Sequence, residues 1–343
     1  MKSKTNIDAD SLVLSKKNDV IIPASGEAAL DIATASCVLK EGVALGGDLN
    51  IIRAKLNGVF LSYYLNNAKK IDIARLAQGI SVIHLYSRQL KLLKILFPKK
   101  EEQQKIANFF TAIDTKIKQL TKKKALLEAY KKGVMQQIFK QEIRFRDEEG
   151  KAFGEWEEKK IKDLLISSRL GGNYSNSTKK TEFPLIKMGN LGRGNIKLRK
   201  LEYIIDGEEV NEEDVLKFGD LLFNTRNTLD LVGKVAIWRN ELELAYYNSN
   251  LMFIEFENNF FMNFRLNSFE GLKSLRRIAT GTTSVAAIYT KDLLKVKLKL
   301  PCISEQKKIS DFLISFDKKI KEANLQLSHL KAYKKGLLQK MFV

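Results

Sequence analysis

FPKKEEQQKIANFFTAIDTKIKQLTKKKALLEAYKKGVMQQIF, residues 97–139, returns 203 residues later as LPCISEQKKISDFLISFDKKIKEANLQLSHLKAYKKGLLQKMF, residues 300–342. The register holds without a gap: Pro98 answers Pro301, Gln103 answers Gln306, Ile106 answers Ile309, Asp114 answers Asp317, and Lys131-Lys132-Gly133 answers Lys334-Lys335-Gly336. A repeat of this length is an architectural statement. The chain reads as globular segment, helix, globular segment, helix, with boundaries at 1–97, 98–142, 143–300 and 301–343.

Both repeats carry a heptad seam. Ile106, Ile113, Leu120, Leu127 and Val134 recur every seventh residue in the first, with Phe110, Ile117 and Ile138 at the second seam position. Ile309, Phe316, Ala323, Leu330 and Leu337 do so in the second, partnered by Leu313, Ile320, Leu327 and Met341. Alternating three- and four-residue spacing of this kind is a coiled-coil pattern. Lys124, Lys131 and Lys334 interrupt it, which sets register and weakens the ends. Pro98 and Pro301 stand just before the helices and none stands within them. From Glu102 to Phe139 one helix would run about 57 Å. Two independent amphipathic helices would satisfy the same pattern, but matching apolar seams favour mutual pairing. An antiparallel pairing would hold the globular segments at opposite ends.

The globular segments also resemble each other. KKNDVIIPASGE (Lys16 to Glu27) answers KFGDLLFNTRNT (Lys217 to Thr228), with Asp19 on Asp220. GISVIHLY (Gly79 to Tyr86) answers GTTSVAAIY (Gly281 to Tyr289). Strands are expected at FPLIKM (Phe183 to Met188), DLLFNT (Asp220 to Thr225), GKVAIW (Gly233 to Trp238) and LMFIEF (Leu251 to Phe256), and helix around Asn263 to Arg277. The fold class is therefore α+β. Aligned backwards, Met1 falls opposite Glu202, so the first segment lacks counterparts of FGEWEEKKIKDLL (Phe153 to Leu165) and FPLIKMGNLGRGNIKL (Phe183 to Leu198). The expectation is an incomplete first module with exposed apolar edges, arising from a truncated gene product, a misassigned start or completion by another chain.

With 343 residues, 44% of them hydrophobic, the chain has material for two cored domains. Its net charge of +19 points to a polyanion, nucleic acid first and an acidic membrane surface second. Of that excess, +6 lies in 99–142 and +5 in 301–343, where a solvated helix face explains it as well as anion contact does. Cys37 and Cys302, and His84 and His329, are the only residues of their kinds, which argues against a disulfide framework or a Cys/His metal site. MKSKTNIDAD at the amino terminus offers no apolar signal segment, and no run is long enough to span a bilayer, so a cytoplasmic protein is expected. No enzyme signature emerges. The four prolines stand singly, so an Asn/Asp-Pro-Pro-aromatic methyltransferase motif is missing, and there is no phosphate-binding G-x-x-x-x-G-K-[ST]. Glu208-Glu209 and Glu212-Glu213 could hold Mg²⁺ in principle, but exposed loop charge is the simpler account.

The chain resembles the DNA-specificity subunits of type I restriction-modification systems. The resemblance rests on LFPKKEEQQKIANFFTAID and LPCISEQKKISDFLISFD at the helix entries, and on the repeated AYKKG with its Phe exit. GEWEEKKIKDLL and GDLLFNTRNTLDLVGKVAIW in the second segment add to it. It implies two related target recognition domains separated by two long helices that pair as an antiparallel coiled coil. Each domain would read half of a split site on double-stranded DNA, the heads standing a duplex turn of roughly 34 Å or more apart. It implies further that the helices dock two methyltransferase subunits, which restriction/translocase subunits join. Gln103, Ile106, Ile113, Tyr130, Gln306, Ile309, Phe316 and Tyr333 are the candidates on the helices. No cofactor is expected on this chain; S-adenosylmethionine, ATP and Mg²⁺ belong to the partners. Other readings are a silent specificity-subunit copy and a coiled-coil protein that binds nucleic acid by charge alone.

Three loops of the second segment carry residue types that read base edges or hold phosphates. They are Lys187 to Asn195 (with Lys187, Asn190, Arg193 and Asn195), Asn224 to Thr228 (with Asn224, Thr225, Arg226 and Asn227), and Thr280 to Ser284 (with Thr282, Thr283 and Ser284). Ser167 to Lys180 is a weaker fourth. In the first segment the counterparts are Pro23 to Glu27, containing Ser25, and Gln78 to Ser81, with Gly46 to Asn50 as a further candidate. For each, an ordinary polar turn is the alternative.

Overall fold

The computed structural model of the chain describes residues 12–342, so the amino-terminal stretch read above for a signal segment lies outside the described residues. Two helices dominate, Lys100–Phe139 and Ile303–Met341. The chain divides into two compact units: Met1–Ala125 with Lys321–Val343, and Leu126–Ile320. Each unit thus holds one globular segment together with part of both long helices, rather than following the four sequential blocks.

In the first unit a three-stranded antiparallel sheet places Val20–Pro23 between Ser36–Cys37 and Leu49–Ile52. Val20 and Ile22 point into a core with Ile32, Leu61, Leu65, Ile73 and Leu85. Gly58–Asn67 is helical because Asn57 caps it, its side chain accepting from Phe60 N at 3.0 Å. Phe60 then joins Phe110 and Phe342 in a second cluster, with ring centroids 5.9 Å (Phe60–Phe342) and 6.0 Å (Phe110–Phe342) apart. That cluster joins the early part of one long helix to the last turn of the other.

The second unit repeats this plan with more sheet. Five strands run in the order Gly194–Asn195, Val235–Ile237, Leu221–Asn224, Leu251–Glu255, Ser167–Leu170, the first pair parallel and the rest antiparallel. Four more run Tyr246–Tyr247, Pro184–Ile186, Glu202–Ile204, Asn176–Ser177. The expected strands are all present in trimmed form. The expected helix is two, Asn259–Leu266 and Phe269–Ile278, because Ser268 starts a new one by accepting from Gly271 N at 3.2 Å. The opening stretch around Trp156 is mainly a strand, Glu157–Lys160, paired with Lys297–Leu300, followed by one helical turn, Ile161–Leu164. Ser167 to Lys180, expected as loop, contributes two strands.

The helix Gly58–Asn67 has a counterpart that the sequence comparison did not find. Asn258 caps Asn259–Leu266 through Phe261 N (2.9 Å), as Asn57 caps the first. Phe261 then packs edge-on against Phe139 at 5.8 Å, as Phe60 packs, tilted, against the repeat-equivalent Phe342 at 5.9 Å.

Within each unit the long helices run antiparallel. In the first, Lys334 Nζ reaches both carboxylate oxygens of Asp114 at 2.6 and 2.7 Å. In the second, Lys131 Nζ reaches Asp317 Oδ1 at 2.5 Å. Two of the three seam-breaking lysines, Lys131 and Lys334, therefore each meet the repeat-equivalent aspartate of the opposite helix, which is why an apolar seam tolerates them. Each lysine also lies over an aromatic ring, Lys334 over Tyr63 at 5.1 Å and Lys131 over Phe264 at 4.8 Å. A third group completes each aspartate: the Tyr63 hydroxyl donates to Asp114, and the Arg239 guanidinium stands 3.5 Å from Asp317. Around these pairs Ile113, Leu120, Val134, Ile138, Ile309, Leu313, Phe316 and Ala323 are buried.

Charge reversal tests this lock. Asp114→Lys should destabilise by about 1 kcal/mol, and Lys334→Asp in the same chain should recover most of the loss, read as thermal midpoints of single and double variants.

The equivalent aspartates Asp19 and Asp220 each accept from the backbone three residues earlier, Lys16 N at 2.8 Å and Lys217 N at 2.7 Å. Their titrations diverge. Burial alone would raise the Asp19 carboxyl, but Arg53 and the Lys16 N–H outweigh it and hold it below the usual range. Burial raises Asp220, and the Lys217 N–H offsets this only partly. A lowered folded pKa gives stability that is present above the unfolded value of about 3.9 and lost as pH falls through the folded one. Asp19→Asn should therefore cost stability at pH 7, with the cost shrinking below about pH 4. Asp220 has the opposite sign, so Asp220→Asn should lose no such pH-dependent term in the same unfolding series.

Candidate nucleic-acid interface

Two of the three loops singled out in the second segment are brought together by a small sheet. Arg226–Asn227 pairs with Ala286–Ala287, and Ala286–Ala287 pairs with Thr280–Gly281, all antiparallel. Leu229 N donates to Thr283 O at 3.1 Å and Ile288 N to Thr225 O at 2.9 Å, fastening one loop to the other. The third loop joins through Arg193, whose guanidinium donates to Asp230 O at 2.9 Å. Arg276, on the helix Phe269–Ile278, meets the Asp230 carboxylate at 2.6 Å.

The residues fall into two groups. Arg193, Asn195, Arg226, Thr282, Thr283 and Ser284 are exposed, with Asn227 half-buried. Lys187, Asn190, Asn224 and Thr225 instead hold the loops from within. Lys187 pairs with Glu202 at 2.8 Å and donates to Asn176 at 2.9 Å. Asn190 is 3% exposed and donates to the carbonyls of Lys197 and Arg199. Asn224 is fully buried, accepting from Arg226 N, and Thr225 Oγ1 donates to Asn250 O. These four were expected to face a ligand because such polar side chains read bases or hold phosphates, yet Asn190, Asn224 and Thr225 bond backbone atoms and Lys187 bonds neighbouring side chains.

The sequence reading singled out Arg193 but missed its cationic neighbours Lys197, Lys234 and Arg276. Burial, then the charges of Arg193 and Lys197, holds the Lys234 ammonium pKa below its usual value. Burial and then Arg276 do the same to Arg193, with Asp230 opposing. Arg193, Lys197, Lys234 and Arg276 thus lie close enough to repel one another, and Asp230 meets two of them, Arg193 and Arg276, an arrangement that favours an incoming polyanion. No sequence motif marks them; Lys234 lies in a strand-flanking position and Arg276 on a helix.

The first segment repeats the small sheet. Ser25–Gly26 pairs with Ile83–His84 in the register that Arg226–Asn227 has with Ala286–Ala287. Ser25 is half-buried and its hydroxyl donates to Asp48, which brings Gly46 to Asn50 to the same place. Gln78 exchanges backbone hydrogen bonds with His84 at 2.9 and 2.7 Å, and its side chain, like that of Ser81, is exposed.

Of the helix candidates, Gln103 and Gln306 are buried and turn back onto Pro98 O (2.8 Å) and Pro301 O (3.0 Å). Gln103 also accepts from Asn57 N at 3.0 Å, seating the helix cap. Ile113, Ile309 and Phe316 are buried and Ile106 half-buried, so these side chains serve the seam and not an outer surface. Tyr130 and Tyr333 are each 56% exposed, and Tyr130 borders a depression lined by Gly133, Gln136, Gln137 and Lys140. Among the described residues no three Asp, Glu, His or Cys side chains gather as a metal site, and no helix is long and apolar enough to cross a membrane.

Mixed α/β modules built on repeated long helices, each with a small sheet presenting polar loops, define a class of two-module recognition protein. The family model for the type I restriction modification DNA specificity domain matches residues 3–129 and 154–328, and the chain belongs to that family. It is 28% identical over 217 residues to the putative type I restriction enzyme MjaX specificity subunit of Methanocaldococcus jannaschii, covering 61% of this chain. That match spans 50% of the relative, so the chain accounts for about half of its length. The MjaVIII specificity subunit of the same organism is 25% identical over 297 residues, 82% of this chain and 69% of that one. Among solved structures, the S subunit of a type I restriction-modification system from M. genitalium superposes with a TM-score of 0.62 at 17% identity, covering 97% of this chain and 85% of that one. A chain from a structure of type I complex assembly and conformational transition gives 0.52 at 16%, covering 96% and 82%. At these identities the two structures speak for the fold, which is α+β with two long helices.

If the cationic face holds phosphates, Lys234→Ala and Arg276→Ala should each weaken duplex binding for all sequences alike. Each should flatten the slope of log affinity against log salt by about one, in titrations across salt concentrations.

Proposed function

We propose that this chain is the non-catalytic, sequence-reading subunit of a type I restriction-modification complex. Each module reads one half of a bipartite site on double-stranded DNA, and the long helices carry two methyltransferase subunits, to which restriction/translocase subunits attach. S-adenosylmethionine, ATP and Mg²⁺ act on those partners, and the complex works in the cytoplasm. One observation supports this above the rest: the same small sheet, in the same register, occurs in both modules of a chain that belongs to the DNA specificity family. Duplicated reading heads suit a site with two parts. For partner contact, the exposed tyrosines of the repeated AYKKG segments, Tyr130 and Tyr333, are the better candidates, since the other helix residues are engaged within the molecule.

Binding by charge alone is separated from this reading by one measurement. A reader enriches particular duplexes from a random pool and holds them with an affinity well above that for random duplex at equal salt. A charge binder shows the salt dependence with no enrichment. Arg226→Ala should weaken or relax one half of the enriched site by about 1–3 kcal/mol, leaving the other half and the folded state unchanged. Enrichment sequencing with the variant checks this.

A further inference from the structure

Two hairpins share a frame and differ at the tip. In the first module Gln78 and His84 bracket the turn, and in the second Thr280–Gly281 pairs with Ala286–Ala287. Each turn is entered through a glycine in the left-handed region, Gly79 at φ 137° and Gly281 at φ 123°. A Cβ there would stand 2.0 Å from Val82 O in one and 2.3 Å from Val285 O in the other, so both positions require glycine. Both hairpins then leave a valine in water, Val82 at 50% and Val285 at 60% exposure. Both are followed by an exposed tyrosine with a cation over its ring, Arg88 at 5.3 Å from that of Tyr86 and Lys291 at 6.0 Å from that of Tyr289. Between the glycine and the shared Ser-Val, the first hairpin has Ile80 alone, and the second has Thr282 and Thr283.

Ile80 is 100% exposed. Burying an isoleucine is worth roughly 1.5–3 kcal/mol, and here a hydrogen-bonded turn holds one entirely in water. The apolar group that duplex DNA offers to a protruding side chain in the major groove is the thymine methyl. We propose that both hairpins are DNA-reading fingers. Ile80 reads a thymine in one half-site by packing on its C5-methyl, and Thr283 offers its hydroxyl to a polar base edge in the other, while Thr282 Oγ1 accepts from Val285 N and steadies the turn. The shared glycine, Ser-Val pair and tyrosine–cation base hold the two tips in the same attitude. This assignment rests on the DNA-reading role proposed above.

The test uses the full chain and a duplex enriched from a random pool. Deoxyuridine replaces each thymidine in turn, which removes the methyl and keeps the pairing. The wild type should lose about fourfold in affinity at one position. Ile80→Ala, a change on a fully exposed side chain, should lose a similar factor on the enriched duplex and nothing on random duplex. It should also no longer respond to deoxyuridine at that position. The proposal is overturned if Ile80→Ala binds like the wild type, loses equally on enriched and random DNA, or keeps the wild-type response to every deoxyuridine. A wild type that enriches no sequence overturns the DNA-reading role itself, and with it the fingers, before any variant is made.

Discussion

A lysine in an apolar seam is tolerable only if something negative meets it there, and this chain meets that condition twice by the same means. Asp114 takes Lys334, and Asp317 takes Lys131. Each lysine breaks its own heptad, and each would be costly without its partner. Because each pair joins repeat-equivalent residues across opposite helices, the ion pairs specify an antiparallel sense and a register that the aliphatic positions alone leave less defined. The helices Gly58–Asn67 and Asn259–Leu266 then seat on this frame through Phe60 and Phe261, and the sheets seat on those helices.

Much of this plan is legible in the amino-acid sequence, because helices and their seams are written in short periods. The 203-residue repeat, the proline-marked helix starts and the strand runs around Leu221 and Leu251 all rest on local patterning. What the sequence hides is which polar side chains face inward. Asn190 and Asn224 have the chemistry of base readers and are spent on backbone atoms of their own turns, whereas Asn227, three residues further on, remains half-exposed. The difference depends on where the chain reverses, a tertiary fact. Gln103 and Gln306, prominent in the repeat, recur because the chain must turn from a proline into a long helix.

The cationic face shows the complementary blindness. Lys234, Arg276 and Arg193 are separated by more than 80 residues of sequence at the extremes; Arg193 and Arg276 meet at Asp230, and Lys234 lies within reach of the Arg193 charge. Net charge announces that a polyanion is suited to the chain, but most of the excess lies on the helices, away from these loops. The second module's own surplus is small, and its effect comes from concentration on one surface rather than from amount.

The first compact unit is assembled from two stretches far apart in the sequence, residues 1–125 and 321–343, and Phe342 closes its aromatic cluster. During synthesis, the leading segment leaves the ribosome with that cluster open, and some two hundred residues must follow before its last ring arrives. At roughly 5–20 residues per second this interval lasts on the order of 10–40 s. The intervening module, which runs to Ile320, has all its segments some twenty residues earlier, roughly 1–4 s at the same rate. Until the stretch 321–343 has been made, Phe60 and Phe110 are without the ring of Phe342 that packs on both.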